Sequence, residues 1–431
     1  MTKNALFRSV VTAAAASALV LPLVGSAHAV SDTNRAETAV YVVQLNDVEA
    51  TKDAVTQMAK GLVAEDGGTL RRVYYSVMQG FSVTLTQDQV GKYLKDTRVG
   101  SVTQDRKYRT AGKLGTRSHR GPAPARQDTL AANAVTQWGA PWGLDRMNQR
   151  NLPLDGKYTA PNTASNVRVY VVDTGVRASH QDLRGRVSAA YDAIKDQAGG
   201  TATDCNGHGT ANASLAAGVY AGTAKQARIE SVRALGCDGT GTLEHIASAV
   251  DWINVNAKKP AVVSLGFTGD PASVLDFQLY MMTDAGITYT APAGNGNGSG
   301  EAVDACEATP GRQTTGITVS ATDRTDRRVA SANTGSCVHL FAPGARIPVA
   351  SLAGDRYYTE LTGTSASAAQ VAGLAAMYVS DHPGATAREI DQALIDAATK
   401  DHVQDPGVDS ENRLAYTGRE GASGAGAGER R

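Results

Sequence analysis

Apolar and polar positions divide the chain into two differently patterned regions. From Thr38 to about Arg109, Tyr41-Val42-Val43-Gln44-Leu45 and Phe81-Ser82-Val83-Thr84-Leu85 have strand composition, the second with clear alternation. Asp53–Val63 and Gln87–Leu94 are helix candidates between and after them. A small α+β unit is predicted. Arg106 to Arg126 then carries Arg106, Lys107, Arg109, Lys113, Arg117, Arg120 and Arg126 among Gly and Pro with little apolar content, which reads as a solvated, easily cut linker.

After about Ala131 strand and helix patterns alternate. Val167–Val172, Ala227–Leu235, Ala261–Leu265, Ile287–Thr290, Ile317–Ala321 and Cys337–Phe341 are short runs rich in β-branched or aromatic residues. Ile246, Val250 and Ile253 share one face of a helix over Glu244–Asn256, and Val274–Asp284, Thr364–Ser380 and Thr386–Thr399 are further helices, the last opening with the capping box Thr386-x-x-Glu389. This alternation predicts an α/β fold, a mainly parallel sheet covered by helices on both faces.

The chain has 431 residues, 42% of them hydrophobic, enough for a large core and more than one domain. Lys+Arg and Asp+Glu are both 42, so bulk charge recommends neither nucleic acid nor an anionic membrane. Lys3 and Arg8 precede an apolar run from Val10 to Val24, and Ala27-His28-Ala29 offers small residues for cleavage. The run is short and alanine-rich for a membrane anchor, so residues 1–29 read as an export signal. In an oxidising compartment the four cysteines pair by proximity as Cys205 with Cys237 and Cys306 with Cys337, each closing a loop of about thirty residues worth roughly 3–4 kcal/mol. Three connectivities are open to four cysteines, and buried thiols are the plain alternative. No Cys-x-x-Cys pair suggests zinc.

Three glycine-bracketed turns carry the chemistry: Asp173-Thr174-Gly175, Gly207-His208-Gly209-Thr210 and Gly363-Thr364-Ser365. An acid, a base and a hydroxyl are what acyl transfer by a serine enzyme requires, and their chain order here separates this reading from chymotrypsin-like and α/β-hydrolase enzymes, which order the same groups differently. Asp173 follows the apolar strand Val169–Val172 and would project from its carboxyl end; an aspartate there is otherwise a turn or cap. His208 precedes the small-residue helix Ala211–Gly218, and its glycine frame lets backbone and substrate approach closely. Ser365 would begin a helix whose positive end favours an oxyanion, where the alternative is an ordinary N-cap. The surrounding Gly363-Thr-Ser-Ala-Ser367 lacks the Gly-x-Ser-x-Gly elbow of α/β-hydrolases. Asn295, in Ala293-Gly294-Asn295, can donate its amide to a developing oxyanion.

With these motifs on hand, the chain resembles the subtilisin family, nearest its proteinase K-like branch. The likeness runs from Trp142 to Gly418 and includes Trp142-Gly143-Leu144-Asp145-Arg146, Ser264-Leu265-Gly266, Phe341-Ala342-Pro343-Gly344 and Asn412-Arg413-Leu414. Tyr41 to Tyr108 resembles the inhibitory chaperone propeptide of these enzymes. The resemblance implies Asp173, His208 and Ser365 as a triad with Asn295 as oxyanion donor. It also implies that substrate adds as a strand between Gly239-Thr240-Gly241 (to Thr242) and Ser264-Leu265-Gly266, with Pro292, Ala293 and Gly294 lining the pocket. The cysteine pairs resemble those of aqualysin-like members.

Some positions depart from the family pattern. The usual Gly-Thr-Ser-Met-Ala-x-Pro-His reads Gly363-Thr-Ser-Ala366-Ser-Ala-Ala369-Gln370, and the second histidine of His-Gly-Thr-His is Ala211. Family calcium positions are also altered: His339 replaces an aspartate, and an Asp-Gln pair is Asn148-Gln149, which weakens a hard-cation site. Structural calcium stays an open expectation; the chemistry needs no cofactor.

The resulting expectation is a signal at 1–29, an inhibitory propeptide at 30–109, a basic linker with the maturation site at 110–131, a catalytic domain at 132–418 and a flexible tail at 419–431. The maturation site is expected within roughly Arg117–Ala134. The functional expectation is a secreted, self-processing serine endopeptidase, monomeric, acting on proteins or peptides, inhibited and templated by its own propeptide, with no nucleic-acid or membrane partner. A noncatalytic peptide-binding protein derived from a protease and a secreted lipase or esterase are the competing classes.

Overall fold

A computed structural model of the chain describes residues 37–121, 127–129, 134–198, 202–297 and 299–418. The expected signal and tail lie outside these residues. The first unit is a four-stranded sheet in which Thr38–Leu45 pairs antiparallel with both Gly80–Thr86 and Val99–Gln104, while Thr69–Tyr74 flanks Gly80–Thr86. Its alternation places Val43, Phe81, Val83 and Leu85 on one face, where Val55, Ala59 and Leu62 of the helix Lys52–Asp66 close a core. Thr86 and Gln89 form a capping box at the start of the helix Gln87–Tyr93.

The main body is built on a ten-stranded sheet. Val187–Asp192, Arg228–Arg233, Arg168–Asp173, Ala261–Leu265, Thr288–Pro292, Ile317–Thr322, Leu340–Pro343 and Arg413–Leu414 follow one another in parallel. The short end strands Gln197–Ala198 and Thr399–Lys400 pair antiparallel. One face packs on the helices His208–Ala217 and Thr364–Asp381, the other on Leu243–Asn256 and Ser273–Asp284. Both faces are dry, which is why these strands read as near-continuous apolar runs. The run Cys337–Phe341 yields a strand only from Leu340, because Val338 N donates to Gly335 O in a turn that brings Cys337 to its bridge with Cys306.

Arg168–Asp173 precedes both of its neighbours in sequence, so the strand order reverses there. Open parallel sheets bind ligands outside the carboxyl ends at such a point. Both cysteine pairs form bridges, with Cα atoms 5.0 Å apart for Cys205–Cys237 and 5.4 Å for Cys306–Cys337.

The basic stretch differs from its reading as solvated chain. Lys107–Thr110 is a strand between Thr240–Thr242 and Phe267–Gly269, antiparallel to both. Lys113–Leu114 and His119–Arg120 pair with Tyr357–Thr362. Main-chain pairing holds most of this segment, with only Tyr108, Ala111 and Leu114 adding apolar contacts, so its composition gives little sign of it.

Candidate active site

Asp173 ends its strand with its carboxylate fully buried, held by Thr174 N at 2.7 Å and Asn212 Nδ2 at 2.8 Å. The His208 ring stands over it, Nδ1 lying 2.8 and 2.9 Å from the two carboxylate oxygens. That contact fixes the ring and leaves Nε2 facing Ser365 Oγ at 2.9 Å. A base oriented by an acid and bonded to a hydroxyl is an activated nucleophile. Gly266 is required beside it, since an added Cβ would meet Asp173 Oδ2 at 1.8 Å.

The loops around the base are braced from Asp204. Its carboxylate accepts from Thr174 Oγ1 at 2.9 Å, Gly207 N at 2.8 Å and Thr210 N at 2.9 Å, while Gly209 N donates to Thr174 Oγ1 at 2.9 Å. The turns carrying Asp173 and His208 are thereby one rigid piece. The Cys205–Cys237 bridge ties this piece to the loop that leads into Gly239–Thr242.

A peptide lies in the groove, and it is the chain's own. Thr240, Gly241 and Thr242 stand opposite Arg109, Tyr108 and Lys107, and Phe267, Thr268 and Gly269 oppose Thr110, Arg109 and Tyr108. Ala111 N donates to Gly266 O at 3.1 Å. The Ala111 carbonyl oxygen then accepts from Ser365 N at 3.0 Å and Asn295 Nδ2 at 2.6 Å. Two donors on one carbonyl, with a hydroxyl and its base alongside, is the geometry of an oxyanion hole. Asn295 is itself set by Thr364 N, which donates to its Oδ1 at 3.0 Å. Tyr108 is fully buried, edge-on to Phe267 at 5.8 Å, its hydroxyl donating to Asp270 O at 3.0 Å.

The structure thus brings Asp173, His208, Ser365 and Asn295 together and puts Gly239, Thr240, Gly241 and Gly266 at the groove. Ser264 and Leu265 are different: they lie inside the central sheet, Ser264 paired on both sides and Leu265 with Val172, and beyond Gly266 the second wall of the groove is Phe267–Gly269. The chain leaves the sheet at Gly266, as the apolar run Ala261–Leu265 predicts, so the edge implied by the resemblance starts two residues too early. Pro292 ends its strand, Ala293 is buried, and Gly294 N donates to Thr364 Oγ1 at 3.1 Å, so these residues support the loop of Asn295. Asn212 escaped the sequence reading. Its signal is spacing: four residues after His208 on one helix puts both on the same face.

The altered positions pack together. Ala211, Ala366 and Ala369 share a cluster with Leu215, Ile347, Val349 and Leu361. Gln370 is buried, its Nε2 donating to Pro343 O at 2.5 Å and Ala366 O at 3.1 Å, while its Oε1 has no protein partner. At the expected calcium positions the side chains are otherwise engaged: Asn148 Oδ1 accepts from Thr159 N at 3.0 Å, Gln149 Nε2 donates to Asn151 O and Pro153 O, each at 2.6 Å, and His339 Nδ1 accepts from Thr318 N at 3.0 Å. Among the described residues no group of three or more His, Cys, Asp or Glu side chains could hold a metal ion.

The small unit is fastened to the main body by polar contacts. Arg71 pairs with Glu244 through two bonds of 2.8 and 2.9 Å, and Ser82 Oγ donates to the same carboxylate at 2.6 Å. Burial opposes ionisation of Glu244, but the bonds from Arg71 and Ser82 and the charge of Arg72 outweigh it and hold its pKa below the ordinary value. Asp251 accepts from Tyr75 N at 3.3 Å and Ser76 N at 3.2 Å.

A serine nucleophile with its base, acid and oxyanion donors, filled by a strand from an N-terminal domain, defines a serine peptidase held as a proenzyme. Comparison with known proteins agrees. The subtilase family pattern matches residues 164–414 and the peptidase inhibitor I9 pattern residues 40–111. An extracellular serine proteinase of Thermus sp. (strain Rt41A) is 35% identical over 88% of this chain and 87% of its own length. Alkaline serine exoprotease A of Vibrio alginolyticus is 34% identical over 80% of this chain, which spans 60% of that relative. The crystal structure of a cold adapted subtilisin-like serine proteinase matches with a TM-score of 0.61 and 38% identity, covering 65% of this chain and 98% of that one. The chain belongs to the subtilase family and is a subtilisin-like serine endopeptidase made with an inhibitory propeptide.

Proposed function

We propose that Ser365 attacks the peptide carbonyl, that His208 takes the hydroxyl proton and returns it to the leaving amine, that Asp173 orients the imidazole, and that Asn295 and the Ser365 backbone N–H hold the oxyanion. The observation that carries this reading is the Ala111 carbonyl oxygen, 3.0 Å from Ser365 N and 2.6 Å from Asn295 Nδ2. Such donors bind more tightly as charge develops, which lowers the barrier rather than merely the ground state.

The enzyme acts outside the cell on extended protein segments. The extracellular name of the Thermus relative supports export, as does the expected signal at 1–29, and no helix among the described residues is long and apolar enough to cross a membrane. Substrate binds as a strand between Gly239–Thr242 and Phe267–Gly269, and the bound segment favours a small residue before the cut and an aromatic one three positions earlier, as Ala111 and Tyr108 do. The catalytic domain acts as a monomer and routes no step through a metal or cofactor. Treatment of the processed protein with a serine-directed phosphonate should label the peptide containing Ser365 and abolish casein hydrolysis. Labelling elsewhere, or hydrolysis that survives complete labelling, would overturn the assignment.

A further inference from the structure

The chain does not leave the groove at Ala111. Gly112 sits against the reacting groups: an added Cβ there would lie 2.7 Å from Ser365 Oγ, 3.0 Å from Leu361 Cδ1 and 3.2 Å from His208 Nε2. Beyond it, Lys113 and Leu114 pair with Thr362 and Leu361, and Gly115 N donates to Glu360 O at 2.7 Å. Thr359 Oγ1 bonds Gly115 O at 3.1 Å and Arg117 O at 2.8 Å, Ser118 Oγ meets Ser351 Oγ at 2.9 Å, and Gly121 N donates to Arg356 O at 2.8 Å. Leu114 packs on the cluster that holds Ala211, Ala366 and Ala369, the small residues standing where the family pattern has larger ones. The inhibitor pattern, moreover, ends at residue 111.

We propose that the first cut falls at the Ala111–Gly112 bond, and that Gly112–Gly121 then stays in the leaving-group half of the groove as a strap that inhibits the enzyme until a second cut removes it. The proposal rests on the serine endopeptidase reading. Ser365 Oγ bonds to the Ala111 carbonyl carbon as its proton passes to His208 Nε2. The bond to Gly112 N breaks, that nitrogen takes the proton from His208, and water then hydrolyses the ester to free the Ala111 carboxyl group and Ser365. None of the strap's bonds to Arg356–Thr362 is broken by this step. Maturation therefore has two stages, with the first bond ahead of the Arg117–Ala134 interval and the second cut downstream of the strap.

Two measurements test this. Intact mass and N-terminal sequencing of the full chain over time should show Gly112 as the first new N-terminus and Ala111 as the matching C-terminus. The rate of that cut should not change on tenfold dilution, because the bond is threaded through its own site. Gly112→Val should slow it at least about 100-fold, since its Cβ has no room. For the strap, a synthetic peptide of residues 112–121 added to fully processed enzyme should inhibit casein hydrolysis at or below about 1 mM, the effective concentration a short tether supplies. The Leu114→Asp peptide should be at least tenfold weaker. A first N-terminus elsewhere overturns the assigned bond, and no inhibition by about 10 mM peptide overturns the strap. In either case an enzyme that still digests casein leaves the peptidase reading standing; protein that never digests casein overturns that reading and the inference with it.

Discussion

Two asparagines contact the polar groups at the centre of the site. Asn295 Nδ2 meets the Ala111 carbonyl oxygen at 2.6 Å. Asn295→Ala should lower kcat about 10²–10³-fold with KM little changed, the loss that removing one such donor brings in subtilisin. Asn212 was not legible, because its role depends on helix phase beside a carboxylate whose own position came from another strand. Its Nδ2 donates to Asp173 Oδ2 at 2.8 Å, so it positions the acid. Asn212→Ala should cost roughly tenfold in kcat, KM staying constant, with part of the loss recovered in Asn212→Ser. Steady-state kinetics on one peptide substrate separate these roles: a change confined to KM in either variant would contradict them.

At the scale of elements, strand and helix identities followed from apolar periodicity, and errors gathered where segments leave the sheet. The resemblance sets Ser264-Leu265-Gly266 as one edge of the groove, yet Ser264 and Leu265 belong to the sheet and the edge runs from Gly266 into Phe267–Gly269. The basic stretch Arg106 to Arg126 reads as a solvated linker because strands held by main-chain bonds leave little trace in side-chain pattern. One element contact has a pH signature. Asp391, on the helix Ala387–Ala397, is buried against Thr288 Oγ1 at 2.5 Å, and burial pushes its pKa up to about 7 despite that bond. A carboxyl whose folded pKa is raised binds its proton more tightly in the native state, so stability is fullest below its unfolded value and is lost as pH rises from about 4 to about 7. Asp391→Asn keeps an acceptor for Thr288 without the charge. It should stabilise the protein by about 1–3 kcal/mol at pH 8 and by little at pH 4, as read from thermal unfolding of the Ser365→Ala background. Equal effects at both pH values would contradict the burial argument.

For the whole molecule, the chain order of acid, base and nucleophile points to the reaction, and the alternation of strand and helix patterns points to the parallel sheet that carries it. What the sequence could not show was how the halves meet. Arg71, Ser82 and Glu244 are scattered charged and polar residues until the small sheet docks on the helix Leu243–Asn256. Docking of the small sheet also delivers Lys107–Ala111 along the groove. The most direct test compares intact masses and casein hydrolysis of wild type and Ser365→Ala made in the same way. Wild type should be cut and should digest casein, whereas Ser365→Ala should remain one uncut chain with no activity. Identical processing and identical lack of activity in the two proteins would contradict the account.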